Sequence, residues 1–200
     1  IQVGDNVRNL MINQNMITSG ATSAASTAMT GIAISGASTG NVEIRANKVM
    51  DFSTTGTNAV VTALSLSNSG PGGDDRIYDN WFSLGRQTSL PTATLTGIQV
   101  NTLASALLQS NTIALGGAST GSGNSYGIYA NGPVNLRITN NIVYNGRSNT
   151  GGTGTHYAGY GLNNPTGIVT VAGNDWSANG PGGMLIRFFG MDIPTLVKWR

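Results

Sequence analysis

The stretch LRITNNIVYN, residues 136–145, sets two asparagines between short apolar, β-branched runs. Asn is disfavoured inside strands, so its presence there needs a physical reason. The arrangement is not isolated. Written as Ile138-x-x-Asn141-x-Val143, it recurs as Ile12-x-x-Asn15-x-Ile17, Ile44-x-x-Asn47-x-Val49, Ile77-x-x-Asn80-x-Phe82, Leu108-x-x-Asn111-x-Ile113 and Val171-x-x-Asn174-x-Trp176. The six asparagines are spaced by 32, 33, 31, 30 and 33 residues. A period of this size marks a repeat architecture.

A second series keeps the same phase: a small residue followed by alternating apolar positions. It reads Gly31-Ile32-Ala33-Ile34, Ala63-Leu64-Ser65-Leu66, Gly97-Ile98-Gln99-Val100 and Gly127-Ile128-Tyr129-Ala130. Ile1-Gln2-Val3 fits at the start. Gly161-Leu162-Asn163-Asn164 fits less well at the end, because Asn164 replaces an apolar residue. Each repeat therefore reads as a short strand, a turn, a second strand, an Asn corner, a third strand and a long return loop. The expected fold is all-β: a right-handed parallel β-helix, or solenoid, of about six coils of roughly 30–33 residues. At ~4.8 Å per level it would be about 25–30 Å long. The handedness follows from the general preference of parallel crossovers.

Three aliphatic columns would form the core: Ile12, Ile44, Ile77, Leu108, Ile138, Val171; Ile1, Ile32, Leu64, Ile98, Ile128, Leu162; and Ile17, Val49, Phe82, Ile113, Val143, Trp176. Stacking repeats buries a core that no single repeat could form. Asp75 departs from this pattern, since Leu10, Val42, Leu136 and Val169 hold its position elsewhere. Either a bulge or a one-residue slip would explain it. The corner needs a residue with φ > 0, and Asn tolerates that region better than other non-glycine residues. Stacked Asn side chains can also bond to one another. Asn15, Asn47, Asn80, Asn111, Asn141 and Asn174 are thus expected to turn the corner and to form a ladder. Asn140 is expected to be a replaceable neighbour, because Ala46, Asp79, Ser110 and Gly173 stand in its place.

Composition agrees with a turn-rich β protein. Only 9% of residues are charged, while 39% are hydrophobic and 29 are Gly, unlike a disordered chain, which is usually charged and poor in β-branched residues. The formal net charge of +2 comes from scattered Lys and Arg with no basic run, so nothing points to nucleic acid. No cysteine is present, which excludes disulfides and thiolate metal sites. No apolar run approaches the ~20 residues of a membrane helix.

At this level of detail the I-x-x-N-x-φ repeat and the G-φ-x-φ strand resemble bacterial right-handed parallel β-helix repeat proteins of the pectate-lyase-like superfamily. The tail, Asn174-Asp-Trp176-Ser-x-Asn179-Gly, Phe189-Gly190 and Thr195-Leu-x-x-Trp199, is similar to the closing coils of large secreted or cell-surface β-helix proteins of Bacteroidetes-type bacteria. The resemblance implies coils over 1–176 and a closing segment over 177–200. That segment would carry a short helix, N-capped by Asp192 with Pro194 in its first turn. The chain is expected to continue beyond both ends, so its first partner would be the remainder of the same long chain.

The resemblance also implies where catalysis would sit: acids and an Arg or Lys base on the first strands. Here those strands carry neither. Asp74, Asp75 and Asp79 form the one acidic cluster. It is a weak Ca²⁺ candidate, with a solvated turn or a salt bridge as the plainer reading, and no other cofactor is implied. Tyr126, Tyr129, His156, Tyr157 and Tyr160 could stack on sugar rings; packing of a long loop against the barrel is the plainer reading. The function expected is a non-enzymatic structural or adhesive module of a secreted or cell-surface bacterial protein, with a polysaccharide as partner. The alternatives are a fragment of a polysaccharide lyase or glycoside hydrolase whose catalytic coils lie elsewhere, and a trimeric phage fibre shaft.

Overall fold

The computed structural model describes residues 1–5, 7–18, 28–36, 41–52, 58–68, 75–85, 92–101, 103–130, 134–162, 169–188 and 190–195. Among these residues there is no helix. The first sheet runs, in spatial order, Gln2–Val3, Met29–Gly36, Val60–Asn68, Thr94–Val100, Ser125–Ala130, His156–Tyr160, Gly183–Phe188 and Met191–Ile193. The second contains Leu10–Asn13, Val42–Arg45, Asp75–Tyr78, Leu103–Gln109, Val134–Thr139 and Val169–Ala172. The third contains Met16–Thr18, Lys48–Phe52, Trp81–Leu84, Thr112–Leu115, Ile142–Asn145 and Asp175–Ser177. Apart from the last pair of the first sheet, neighbours in each of the three sheets lie about one repeat apart in sequence and run parallel, so the fold is a parallel β-solenoid. A short side sheet pairs Ala118–Ser119 with Ser148–Asn149.

Register follows the sequence period in the second and third sheets. Ile12, Ile44, Ile77, Leu108, Ile138 and Val171 pair in succession. So do Ile17, Val49, Phe82, Ile113, Val143 and Trp176. The inner residues of both columns are fully buried. Stacking like on like at every level gives one continuous apolar core.

Four local expectations are corrected. Asp75 neither bulges nor slips. It sits in register opposite Ala106, is 2% exposed, and its Oδ1 accepts the Val42 N–H at 3.0 Å. The register shifts fall instead at Met50/Phe52 and Leu103/Ala106, the former around Asp51 with φ of 58°.

The first-sheet column also ends differently. Ile128 pairs with Gly159, not with Leu162. Leu162 is nevertheless fully buried. A Cβ built on Gly159 would lie 2.9 Å from Leu162 Cδ1 and 3.1 Å from Trp176 Cζ3. Leu162 and Trp176 thus fill the space that Gly159 leaves in the column.

The third correction concerns the closing segment. Gly183–Phe188 extends the first sheet, and Met191–Ile193 folds back antiparallel onto it. Asp192 is therefore a strand residue and not a helix cap; residues 196–200 of the expected helix lie outside the described residues.

At the corners the roles of two residues are exchanged relative to expectation. The left-handed φ belongs to the residue before the ladder Asn: Gln14 (58°), Ala46 (53°), Asp79 (56°), Ser110 (54°), Asn140 (56°) and Gly173 (65°). The ladder Asn itself is freed to turn inward. There Asn47, Asn80, Asn111 and Asn141 are buried. Each Oδ1 accepts two bonds from the preceding level. Asn15 Nδ2 donates to Asn47 at 2.9 Å, Asn47 to Asn80 at 3.0 Å and Asn80 to Asn111 at 2.9 Å. Asn111 donates to Asn141 at 3.0 Å and Asn141 to Asn174 at 2.8 Å. The backbone N–H of the same residue donates to the same oxygen, as from Asn111 to Asn141 at 2.9 Å. Each Nδ2 also reaches backbone carbonyls, Asn111 that of Ile77 and Asn141 that of Leu108. The ladder thereby satisfies corner groups that would otherwise be buried and unpaired.

Candidate functional site

The first sheet is creased. In Ser125–Ala130, Ser125, Ile128 and Ala130 are buried while Tyr126 and Tyr129 are half-buried on the outer face. The side chains do not simply alternate, because Gly127 sits at the bend. A Cβ there would lie 2.3 Å from Val143 Cγ1 and 2.5 Å from the Ala158 carbonyl. This is the physical reason for a small residue ahead of each apolar pair. Gly31 and Gly97 meet the same obstacles, Val49 with the Ala63 carbonyl and Ile113 with the Gly127 carbonyl.

At the crease, outward residues three apart converge. Tyr126 and Tyr129 have ring centroids 4.9 Å apart. The next strand repeats them: Tyr126 pairs with Tyr157 and Tyr129 with Tyr160. Tyr126 stacks near-parallel on Tyr157 at 6.0 Å, Tyr129 lies 5.2 Å from Tyr160, and Tyr157 meets Tyr160 edge-on at 4.9 Å. In the preceding levels the same rows hold Thr62 and Thr96, Ser65 and Gln99. Beside them, Gln99 donates to Asn101 at 3.2 Å and Asn101 to Ser67 at 2.7 Å. At the far edge the Arg187 guanidinium lies 5.6 Å from the Tyr160 ring. The Tyr157 hydroxyl donates to Asp192 at 3.0 Å, and Arg187 stands 3.6 Å from the same carboxylate. Burial raises the pKa of Tyr126, Tyr129 and Tyr157 above the usual phenol value, so these three phenols stay protonated at neutral pH. Tyr126, Tyr129 and Tyr160 are half-buried, while Tyr157, Thr62 and Thr96 are buried, so the surface of the crease is three tyrosine rings flanked by the side chains of Gln99, Asn101 and Ser67.

Directly behind it lies a polar network inside the solenoid. His156 precedes Tyr157 in its strand but faces inward. His156, Ser125, Asn145 and Arg147 all have 0% exposure. Asn149 Nδ2 donates to the Gly154 carbonyl at 2.7 Å, leaving its Oδ1 toward His156 Nε2 at 3.0 Å. Nε2 therefore carries the proton, and Nδ1 accepts the Ser125 hydroxyl at 3.0 Å. Ser125 Oγ in turn accepts from Asn145 Nδ2 at 2.9 Å, which also donates to the Tyr157 carbonyl at 2.8 Å. Arg147 Nη1 donates to the carbonyls of Ala93 and Asn124 at 2.7 and 2.8 Å. Burial pushes Arg147 down to about 10. Burial first, and then the Arg147 charge, push His156 down to about 4. The hydroxyl–imidazole–amide chain has the order of a nucleophile relay. Its hydroxyl and ring have no exposed surface.

The structure thus brings Tyr126, Tyr129, Tyr157 and Tyr160 together and places His156 on the other side of the same strand, away from that surface. Asp75 is turned into the barrel against Val42, Asp79 is exposed at a corner, and Asp74 lies outside the described residues. Among the described residues no three His, Cys, Asp or Glu side chains group as a metal site. Ser125, Asn145, Arg147 and Asn149 escaped sequence reasoning, although a signal existed. The inward columns Leu84–Leu115–Asn145 and Val61–Leu95–Ser125–His156 change from apolar to polar at neighbouring levels. A further exposed group, Trp81, Ile142 and Tyr144, lies on the third sheet, with Lys48 Nζ 5.8 Å from the Trp81 ring. No protein-family model matches the chain, and neither does any curated protein or any solved structure.

Proposed function

We propose that this chain is a non-enzymatic structural and adhesive module of a large secreted or cell-surface bacterial protein, a β-helix of the pectate-lyase-like kind, and that the tyrosine patch contacts polysaccharide. The observation that carries this reading is the patch itself. Three half-buried tyrosines from two adjacent levels, Tyr126, Tyr129 and Tyr160, converge on one crease against the buried Tyr157 ring, and the row that continues Tyr129 holds Gln99 and Ser65. A sugar ring offers apolar faces and a rim of hydroxyls. Amphipathic tyrosines beside Gln99, Asn101 and Ser67 match both. The rigid stack supplies length and holds the crease in place without rearrangement. A glycan array probed with the wild type and with a Tyr129→Ala/Tyr160→Ala double variant tests it. The expected result is retention of at least one glycan class by the wild type and loss of at least tenfold in the variant at unchanged melting temperature. Failure of the wild type to bind any glycan would remove the adhesive role and leave a scaffold.

A further inference from the structure

The network behind the patch points to regulation of that same surface, an inference that rests on the patch as the binding face. We propose that Ser125, Asn145, Arg147, Asn149 and His156 form an acid-released lock on the 146–157 segment, which positions Tyr157 and Tyr160. The segment is held from both sides. Gly146, Ser148, Thr150 and Thr153 donate backbone bonds to Leu115, Gly117, Ser119 and Gly121 of the level before, and Asn149 and His156 donate to Pro181 and Gly182 of the level after. Its interior fastening is His156, whose two ring nitrogens tie the first-sheet strand of the previous level, through Ser125, to Asn149 of the side sheet.

Protonation would change this fastening in a defined way. Nδ1 would become a donor, and Ser125 would turn its hydroxyl to Asn145 Oδ1, 3.0 Å away. The hydrogen bonds can be rearranged; the charge cannot be accommodated. The elements packed on His156 present Ser125, Asn145, Asn149, the Gly182–Gly183 backbone and Arg147, so the one charged group facing it among the described residues is another cation. Arg187 and Asp192 sit on the outer face with the Tyr157 hydroxyl. Opening the segment would hydrate the imidazole and relieve the repulsion. Tyr157 follows His156 in the chain, so opening disrupts the patch directly.

The sign is set by linkage. The open segment holds His156 near its ordinary value of about 6.5, while the closed one holds it near 4. Opening therefore becomes more favourable as pH falls through this window, by about 40-fold between pH 6.5 and 4.5. Hydrogen–deuterium exchange of the whole chain at those two pH values, corrected for intrinsic exchange rates, tests the lock. No glycan is present, so the outcome is independent of binding. In the wild type, exchange across 146–157 should accelerate at least tenfold at pH 4.5 while the strands at 42–52 hold. His156→Gln should abolish the pH response. Asn149→Asp, which sets a carboxylate against Nε2, should keep the segment closed at pH 4.5. Unchanged wild-type exchange, or the same pH response in His156→Gln, overturns the lock. Should His156→Gln fail to fold, Asn149→Asp decides alone, and wild-type behaviour in it also overturns the proposal.

Discussion

Asn140 and Asn141 divide one task between them. Asn140 supplies a left-handed backbone, φ 56°, and Asn141 supplies the inward amide that accepts the Asn111 N–H and Nδ2. The requirement on the first is conformational and on the second chemical, so substitutions should separate them. Asn140→Gly should be neutral or slightly stabilising, while Asn140→Val should cost ~1–2 kcal/mol through strain at positive φ. Ala46, held at φ 53°, should gain up to ~1 kcal/mol on change to Gly. On the ladder, Asn111→Leu removes the acceptor of two Asn80 donors and one donor to Ile77. It should cost ~3 kcal/mol, because buried donors are left unpaired. Asn15 is half exposed and, among the described residues, no donor reaches its Oδ1, so Asn15→Leu should cost less than ~1 kcal/mol. Urea titration of these variants checks all of the figures. Agreement of the Asn111 and Asn15 losses would contradict the ladder as the stabilising device.

Among the elements, the creased first-sheet strand decides where function can reside. Its small residue lets two outward side chains converge, and Gly127 is hemmed in by Val143 and the Ala158 carbonyl. Gly127→Val should therefore destabilise by at least ~2 kcal/mol and separate Tyr126 from Tyr129, visible as a changed tyrosine circular-dichroism signal. Retained stability in that variant would mean that the crease is not sterically enforced. This element was legible in the sequence at the levels where a small residue precedes Ile, Leu or Ile again, as at 31, 63, 97 and 127. It was misplaced at the final level for a physical reason. His156-Tyr-Ala-Gly-Tyr160 puts Gly159 in the apolar column, and the missing side chain is replaced from outside the strand by Leu162 and Trp176. Gly161-Leu162 imitates the repeat in sequence because Leu162 does belong to the core, though not to the strand.

For the molecule as a whole, pH should act through one interior histidine. His156 has a folded-state value of about 4, below its unfolded value of about 6.5. The unfolded chain therefore binds more protons in between, and stability falls as pH drops through that window. Between pH 6.5 and 4.5 the loss should be ~2 kcal/mol. Urea midpoints at the two values, compared with those of His156→Gln, isolate this contribution from that of the carboxylates. An equal loss in the variant would assign the acid sensitivity to the carboxylates instead. The long-range organisation was determined by the sequence alone: the period, two of the three aliphatic columns throughout, and the Asn ladder. Stacking imposes one chemistry on each column, so a column read along the chain reports directly on the stack. The tertiary structure alone decided two things. One is which corner residue takes the left-handed backbone, a position filled by Gln, Ala, Asp, Ser, Asn and Gly in turn and so without any periodic signature. The other is the meeting of Ser125, Asn145, Arg147, Asn149 and His156 inside the barrel. Those residues come from the first sheet, the third sheet, the side sheet and the segment between the last two, and only the closing of the coil brings their polar groups together.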